Sequence, residues 1–134
     1  MPNLALTIEY DGTDFLGWQI QADGRTVQSE IESALHTILQ ENIRVTAAGR
    51  TDTGVHAVGQ IAHFRTSSAV PLERLRHGLN GLLRPDVVIH SIREVDDDFH
   101  ARYGATGRQY LYLILRHPSA LRRRYAWHVP YDLD

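Results

Sequence analysis

The apolar residues of this chain change their spacing at defined points, and that succession of periods restricts the fold more than any other feature. Leu4, Leu6, Ile8 and Tyr10 alternate with Ala5, Thr7 and Glu9, the period of two expected of a strand with one buried face. Asp11-Gly12 ends the run. From Val27 the spacing turns helical, with Val27, Ile31, Ala34, Leu35, Ile38 and Leu39 on one stripe. Thr26 stands at the N-cap position, and Glu30 and Glu32 lie near the helix start, where acids complement the dipole. Residues 43–48 and 58–65 return to strand character. Pro71 suits a helix start, and Leu72, Leu75, Leu79, Leu82 and Leu83 give a second stripe that Arg84-Pro85-Asp86 breaks. Val87 to Ile92 read as a fourth strand, and Arg108 to Arg116 as a fifth.

The order β-α-β-β-α-β plus one strand defines an α+β chain of the split βαβ kind, ferredoxin-like or RRM-like in arrangement. The sheet is expected to be mostly antiparallel, with both helices on one face and the other left for a partner, a ligand or a second domain. In the fifth strand Leu111, Leu113 and Leu115 share one face and Tyr110, Tyr112 and Ile114 the other. The leucines are expected in the helix-packed core and the tyrosines on the open face. No internal repeat, linker or low-complexity segment interrupts the chain.

With 134 residues, the chain is long enough for one domain with a real core. It has no cysteine, which excludes disulfides and thiolate metal sites. The N-terminal Met-Pro-Asn-Leu-Ala-Leu lacks the features of a signal peptide, and no apolar run approaches the roughly 20 residues needed to cross a bilayer. A cytoplasmic protein without membrane partners is expected. The net charge is −2, but it is segregated. From Phe99 to Tyr131 there are six arginines (Arg102, Arg108, Arg116, Arg122, Arg123 and Arg124) and no acid, whereas the rest carries eight arginines against sixteen acids. A basic surface facing a polyanion would produce such asymmetry; so would a solvated arginine turn. Every cation is arginine, whose planar fork suits phosphate and stacks on bases.

Residues 47–57, Ala-Ala-Gly-Arg-Thr-Asp-Thr-Gly-Val-His-Ala, carry the chemistry. They set one carboxylate, Asp52, between Gly49 and Gly54, with Arg50 two residues before it. An acid between glycines is ordinarily only a turn. The full string is more specific: it resembles the catalytic-aspartate motif of the tRNA pseudouridine synthase A (TruA) family, a Gly-Arg-Thr-Asp-x-Gly-Val-His run. Other blocks are similar to the same family: Glu9-Tyr10-Asp11-Gly12 with Gly17-Trp18-Gln19, Thr26-Val27-Gln28 leading into an acidic helix, Gly59-Gln60 through His63-Phe64, Asp97 through Arg102, and Arg108 through Tyr112. The chain departs from the pattern at Ile20, Gln109 and Leu111, where basic residues are common.

The resemblance implies isomerisation of uridine to pseudouridine in the anticodon stem-loop of tRNA, at RNA positions 38 to 40, by a homodimeric enzyme. It covers nearly all of residues 1–134 but only the first half of a family member. The chain therefore reads as the N-terminal catalytic domain, with a C-terminal half absent and the activity of this stretch alone an open question. No cofactor or metal is required, because no atoms are gained or lost. Asp52 is implied as the catalytic nucleophile, a role suited to a carboxylate that traps or stabilises an electron-poor C1′. Tyr110 is implied as the ring that packs against the uracil. Arg50 either holds Asp52 ionised or fills the stack vacated by the flipped base. Arg25, His56, Arg102 and Arg108 are candidate RNA contacts.

Competing readings are simpler. His56 and His63 lack helical ligand spacing and a partner set, so a metal site is not expected. Trp18 and Trp127 read as packing residues, and Asp96-Asp97-Asp98 as a solvated loop without calcium-loop spacing. A noncatalytic RRM-like RNA-binding domain would carry aromatic RNP-type strings on its central strands, and none is found. An inactive fragment is the remaining alternative. Pro130 to Asp134 read as the entry to a further helix.

Overall fold

The computed structural model describes residues 1–83 and 85–129. Its regular elements are β1 (Asn3–Tyr10), α1 (Val27–Leu39), β2 (Thr46–Ala47), β3 (Ala57–Arg65), α2 (Leu72–Leu83), β4 (Val87–Val95), β5 (Ile114–Leu115) and β6 (Trp127–His128). The expected readings of Arg84 and of Pro130 to Asp134 lie outside the described residues.

β1 is the most completely buried strand, and it takes the centre. It pairs antiparallel with β3 on one side and β4 on the other, and β2 joins the far edge of β3. The sheet order β2-β3-β1-β4 interleaves two βαβ units, as the element order anticipates. Leu4, Leu6 and Ile8 stand opposite Phe64, Ala62 and Gln60 of β3, so one sheet face is built largely of apolar residues. Both helices cover that face. α1 contributes Val27, Ile31, Ala34 and Leu35, and α2 contributes Leu75, Leu79 and Leu83. Fully burying each such aliphatic side chain is worth about 1.5–3 kcal/mol. Leu82, expected on the second stripe, faces outward instead.

Local chemistry fixes the helix positions. Thr26 caps α1 as expected, its hydroxyl accepting from the Ser29 N–H at 3.2 Å while the Ser29 hydroxyl accepts from the Thr26 N–H at 3.3 Å, a reciprocal capping box. Asn80 of α2 clasps β4 by donating to the Ile89 carbonyl at 3.0 Å and accepting from the Ile89 N–H at 2.7 Å.

Two expected strands are revised. Residues 43–48 form strand only at Thr46–Ala47. Side chains of α1 take the backbone of Val45 instead: Gln28 donates to its carbonyl at 3.1 Å, and Glu32 accepts from its N–H at 2.9 Å. The expected fifth strand, Arg108 to Arg116, does not join the sheet. Only Ile114–Leu115 pairs, in parallel, with Trp127–His128. Without a sheet edge beside them, residues 108–112 bury neither face: Leu111 is 81% and Tyr112 84% exposed. The division into core leucines and open-face tyrosines therefore fails. Trp18 is a packing residue as expected, at 2% exposure, but Trp127 is 63% exposed and is not.

The sheet face opposite the helices is partly covered at one end. Asn3 donates to the carbonyls of Asp96 and Phe99 at 3.1 and 3.0 Å, and His63 Nδ1 accepts from the Ala101 N–H at 3.0 Å. Asp96, Asp97 and Asp98 themselves are exposed, as expected of a solvated loop. Among the described residues no helix is long and apolar enough to cross a membrane.

Candidate active site

The register of the central strands brings the Asp52 motif to the end of β1. Tyr10, the last residue of β1, stands opposite Ala57, the first of β3. The segment leaving β1 and the segment entering β3 must therefore meet, and they do so along residues 10–18 and 49–56. The Trp18 N–H donates to the Thr51 carbonyl at 3.1 Å, and the Gly54 N–H to the Phe15 carbonyl at 3.3 Å. Two glycines permit this approach. At Gly17, with φ of +87°, a Cβ would lie 2.6 Å from the Thr51 oxygen; at Gly12 it would lie 2.0 Å from the Val55 oxygen. Neither distance is tolerable, and the positive φ at Gly17 is costly for any other residue.

Side chains from the sheet brace the motif from beneath. The Tyr10 hydroxyl lies 2.7 Å from the Thr51 hydroxyl. Gln60 of β3 donates to the Gly49 carbonyl at 2.6 Å and accepts from the Gly49 N–H at 3.4 Å. From outside the sheet, Arg108 donates from Nε and Nη2 to the Ala48 carbonyl at 3.0 and 2.5 Å. Burial pushes the Tyr10 phenol above its ordinary range, against the opposing hydrogen bonds of Thr51 and Gln60; the nearby Tyr110 hydroxyl adds to the rise. Tyr10 is therefore a protonated phenol at neutral pH.

Asp52 itself makes no side-chain hydrogen bond to these groups among the described residues. A turn closes beneath it, with the Val55 N–H donating to the Asp52 carbonyl at 3.1 Å. Its side chain is exposed, and among the described residues no hydrogen bond or ion pair holds the carboxylate. Arg50 is exposed as well. It is not ion-paired with Asp52, so the expected guanidinium support for the carboxylate is absent from this arrangement. Tyr110, 61% exposed, comes near Tyr10 through an extended segment and not as part of the sheet.

The candidate RNA contacts differ in how free they are. Arg25 donates to both Asp86 oxygens at 2.9 and 3.1 Å and to Glu30, and its guanidinium stacks 4.2 Å over the Phe15 ring. Asp86 first, then Glu30, raise its pKa. Arg25 is thus committed to internal partners. His56 Nδ1 accepts from the Gly12 N–H at 2.8 Å, which puts the ring proton on Nε2, 3.2 Å from the Arg124 carbonyl. The 3.3 Å approach of Nδ1 to Asp11 is then no ion pair, because that nitrogen carries no proton. His56 joins the motif to the turn at residues 120–125, where the Tyr125 ring lies 4.9 Å away, tilted by 58°, and its hydroxyl donates to Asp11 at 2.7 Å. Burial alone would raise the Asp11 carboxyl; hydrogen bonds from Thr13 and Tyr125 outweigh it and hold it down at about 2. Arg102 is exposed, its guanidinium 5.9 Å from the Tyr103 ring centroid. Arg122, Arg123 and Arg124 are exposed on their turn.

Tyr10, Thr51 and Gln60 lie within the blocks similar to the family, but no sequence pattern assigns them a bracing role. Tyr10 reads as the last core residue of an alternating strand, and nothing in the spacing couples position 10 to position 51. Only the β1–β3 register shows that they meet.

This geometry defines a class: a split βαβ domain of ferredoxin-like arrangement that presents one unpartnered carboxylate on a loop braced from the sheet. Comparison with known proteins makes the class specific. Residues 6–104 match the model of a family described as tRNA pseudouridine synthase, and the chain belongs to that family. It is 53% identical over 135 residues to a tRNA pseudouridine synthase A of Chlorobium phaeovibrioides, covering all of this chain and 56% of that protein. It is 48% identical over 136 residues to one of Ruminiclostridium cellulolyticum, again covering all of this chain and 56% of that protein. With one from Halalkalibacterium halodurans it shares 50% identity over 137 residues, covering all of this chain and 52% of that protein. The chain spans about half the length of the curated relatives it matches.

Proposed function

We propose that this chain supplies the catalytic half of an enzyme that isomerises uridine to pseudouridine in the anticodon stem-loop of tRNA, at positions 38 to 40, with Asp52 as the nucleophile. The observation that carries the reading is the exposed, unpartnered Asp52 carboxylate on a loop held by Tyr10, Trp18 and Gln60, in a chain of this family. A hydrogen-bonded carboxylate would be a structural turn. One whose backbone is fixed while its oxygens stay open is available to a substrate.

In the proposed reaction the C1′–N1 bond of the target nucleotide breaks while the carboxylate stabilises or traps the electron-poor C1′. The uracil turns in place and bonds to C1′ through C5. The C5 proton leaves and N1 is protonated, so the atoms balance without a cofactor or metal. Tyr110 supplies a ring against the uracil face. The base must leave its helical stack to reach the loop, and the free Arg50 guanidinium is suited to occupy the vacated space. Arg102 and the arginine turn offer charge to the RNA backbone, whereas Arg25, His56 and Arg108 act from within the protein.

Electrostatic catalysis is strongest where water is excluded, and Asp52 lies open to solvent. The complete cleft therefore draws on further residues of the full-length protein, which we propose works as a cytoplasmic homodimer. Incubating full-length protein with an unmodified tRNA bearing uridines at positions 38 to 40, followed by pseudouridine mapping, tests the reading. Pseudouridine at those positions is expected. Its absence there, with tRNA bound, would overturn the proposal.

A further inference from the structure

We infer that the Tyr10 hydroxyl is a positioning group for Asp52, acting through Thr51. This rests on the proposed role of Asp52. The Tyr10 ring is buried in the core at 2% exposure, yet its oxygen emerges 2.7 Å from the hydroxyl of the residue immediately before Asp52. The same residue, Thr51, is held through its carbonyl by the Trp18 N–H at 3.1 Å. Gln60 of the neighbouring strand fixes both backbone groups of Gly49. The backbone on the N-terminal side of Asp52 is thus tied to the sheet at positions 49 and 51. The Asp52 side chain has no hydrogen bond of its own among the described residues, so its direction comes from this backbone. A nucleophile aimed at one ribose carbon needs that direction, since a displacement of about 1 Å costs on the order of 10²-fold in rate.

The simpler explanation is that a buried phenol merely finds a partner, as buried hydroxyls usually do. The two explanations differ in what they predict. A satisfied core hydroxyl affects stability; a positioning hydroxyl affects turnover while the ring keeps the fold. Tyr10→Phe removes only the oxygen, and Thr51→Val removes its partner at constant shape.

The test uses the full-length protein and follows tritium release from C5-labelled uridine in tRNA, with Tm measured on each variant. Tyr10→Phe and Thr51→Val are each expected to lower kcat about 10- to 100-fold with KM for tRNA within about twofold. The double variant should be no slower than the worse single one, because both remove the same link. Thr51→Ser should recover most of the kcat lost in Thr51→Val. Full kcat in Tyr10→Phe, additive losses in the double variant, or a rate loss that tracks a fall in Tm would overturn the inference. Asp52→Asn run alongside separates the two claims. If Asp52→Asn turns over normally, the proposed catalytic role fails. If it is inactive while Tyr10→Phe keeps full kcat, only the positioning role fails.

Discussion

Between Asn3 and Val95 the alternating and helical apolar patterns close a core, whereas between Arg102 and His128 an equally regular pattern stays in water. Leu6 and Leu111 show the difference. Each sits in an alternating run, but Leu6 is fully buried and Leu111 is 81% exposed. β1 has a hydrogen-bonded neighbour on both edges and helices across one face. Residues 108–112 have neither. Periodicity states which face a strand would bury; it does not supply the edge and the cover that make burial happen. The two regions also divide the proposed work. The packed region fixes the Asp52 loop, and the exposed region carries Tyr110 and the arginines offered to a substrate.

Stability measurements break this comparison most directly. Leu35→Ala, in the centre of the core, should destabilise the protein by about 2–5 kcal/mol. Leu111→Ala should change stability by no more than about 0.5 kcal/mol, as expected of an exposed site. Denaturant unfolding of the 134-residue chain reads both. A comparable loss at Leu111 would show that the second region packs after all.

Activity sharpens the division. Tyr110→Ala should lose the uracil platform, a loss of about 1–3 kcal/mol in transition-state stabilisation, while Tyr110→Phe should retain the stack. Kinetics of both variants in the full-length protein test this. If Phe is as slow as Ala, the hydroxyl acts too, and its proximity to Tyr10 becomes the feature to pursue.

A smaller effect is expected from the arginine turn. Replacing Arg122, Arg123 and Arg124 by Gln should flatten the salt dependence of tRNA binding, because each lost phosphate contact releases fewer counterions. Titrations at several ionic strengths give the slope. An unchanged slope would make the turn merely solvated.

The smallest effect concerns the link between the regions. Asp11, which receives the Tyr125 hydroxyl, is held at about 2 in the folded protein, against about 3.9 for an unperturbed Asp. Its contribution to stability is therefore present above about pH 4 and is lost as the pH falls toward 2. Asp11→Asn should show a stability deficit at pH 5 that narrows between pH 4 and pH 2. A deficit that stays constant with pH would detach it from the carboxylate charge.

Most of the fold is legible in the sequence because the helices and long strands each bury a periodic face. Thr26 announces its helix for the same local reason, since its cap satisfies the N–H of Ser29 three residues on. What is not legible depends on distant pairing. β2 shrinks because Gln28 and Glu32 of α1 capture Val45, and the fifth strand fails for want of an edge. At the candidate site, Asp52, Arg50 and Tyr110 stand out through their resemblance to a family motif. Tyr10 and Gln60 lie in blocks similar to the same family, but their part at the site is not legible, because a core tyrosine and a strand glutamine have no local signature of bracing a loop some forty and ten residues away.

The central claim is that the carboxylate of Asp52 carries out the reaction on a loop the sheet holds in place. Asp52→Asn keeps the shape and removes the charge. Single-turnover tritium release by the full-length variant, with tRNA affinity measured in parallel, tests the claim directly. We predict a rate loss of at least about 10³-fold with affinity retained. Near-normal release by the purified variant would contradict the account.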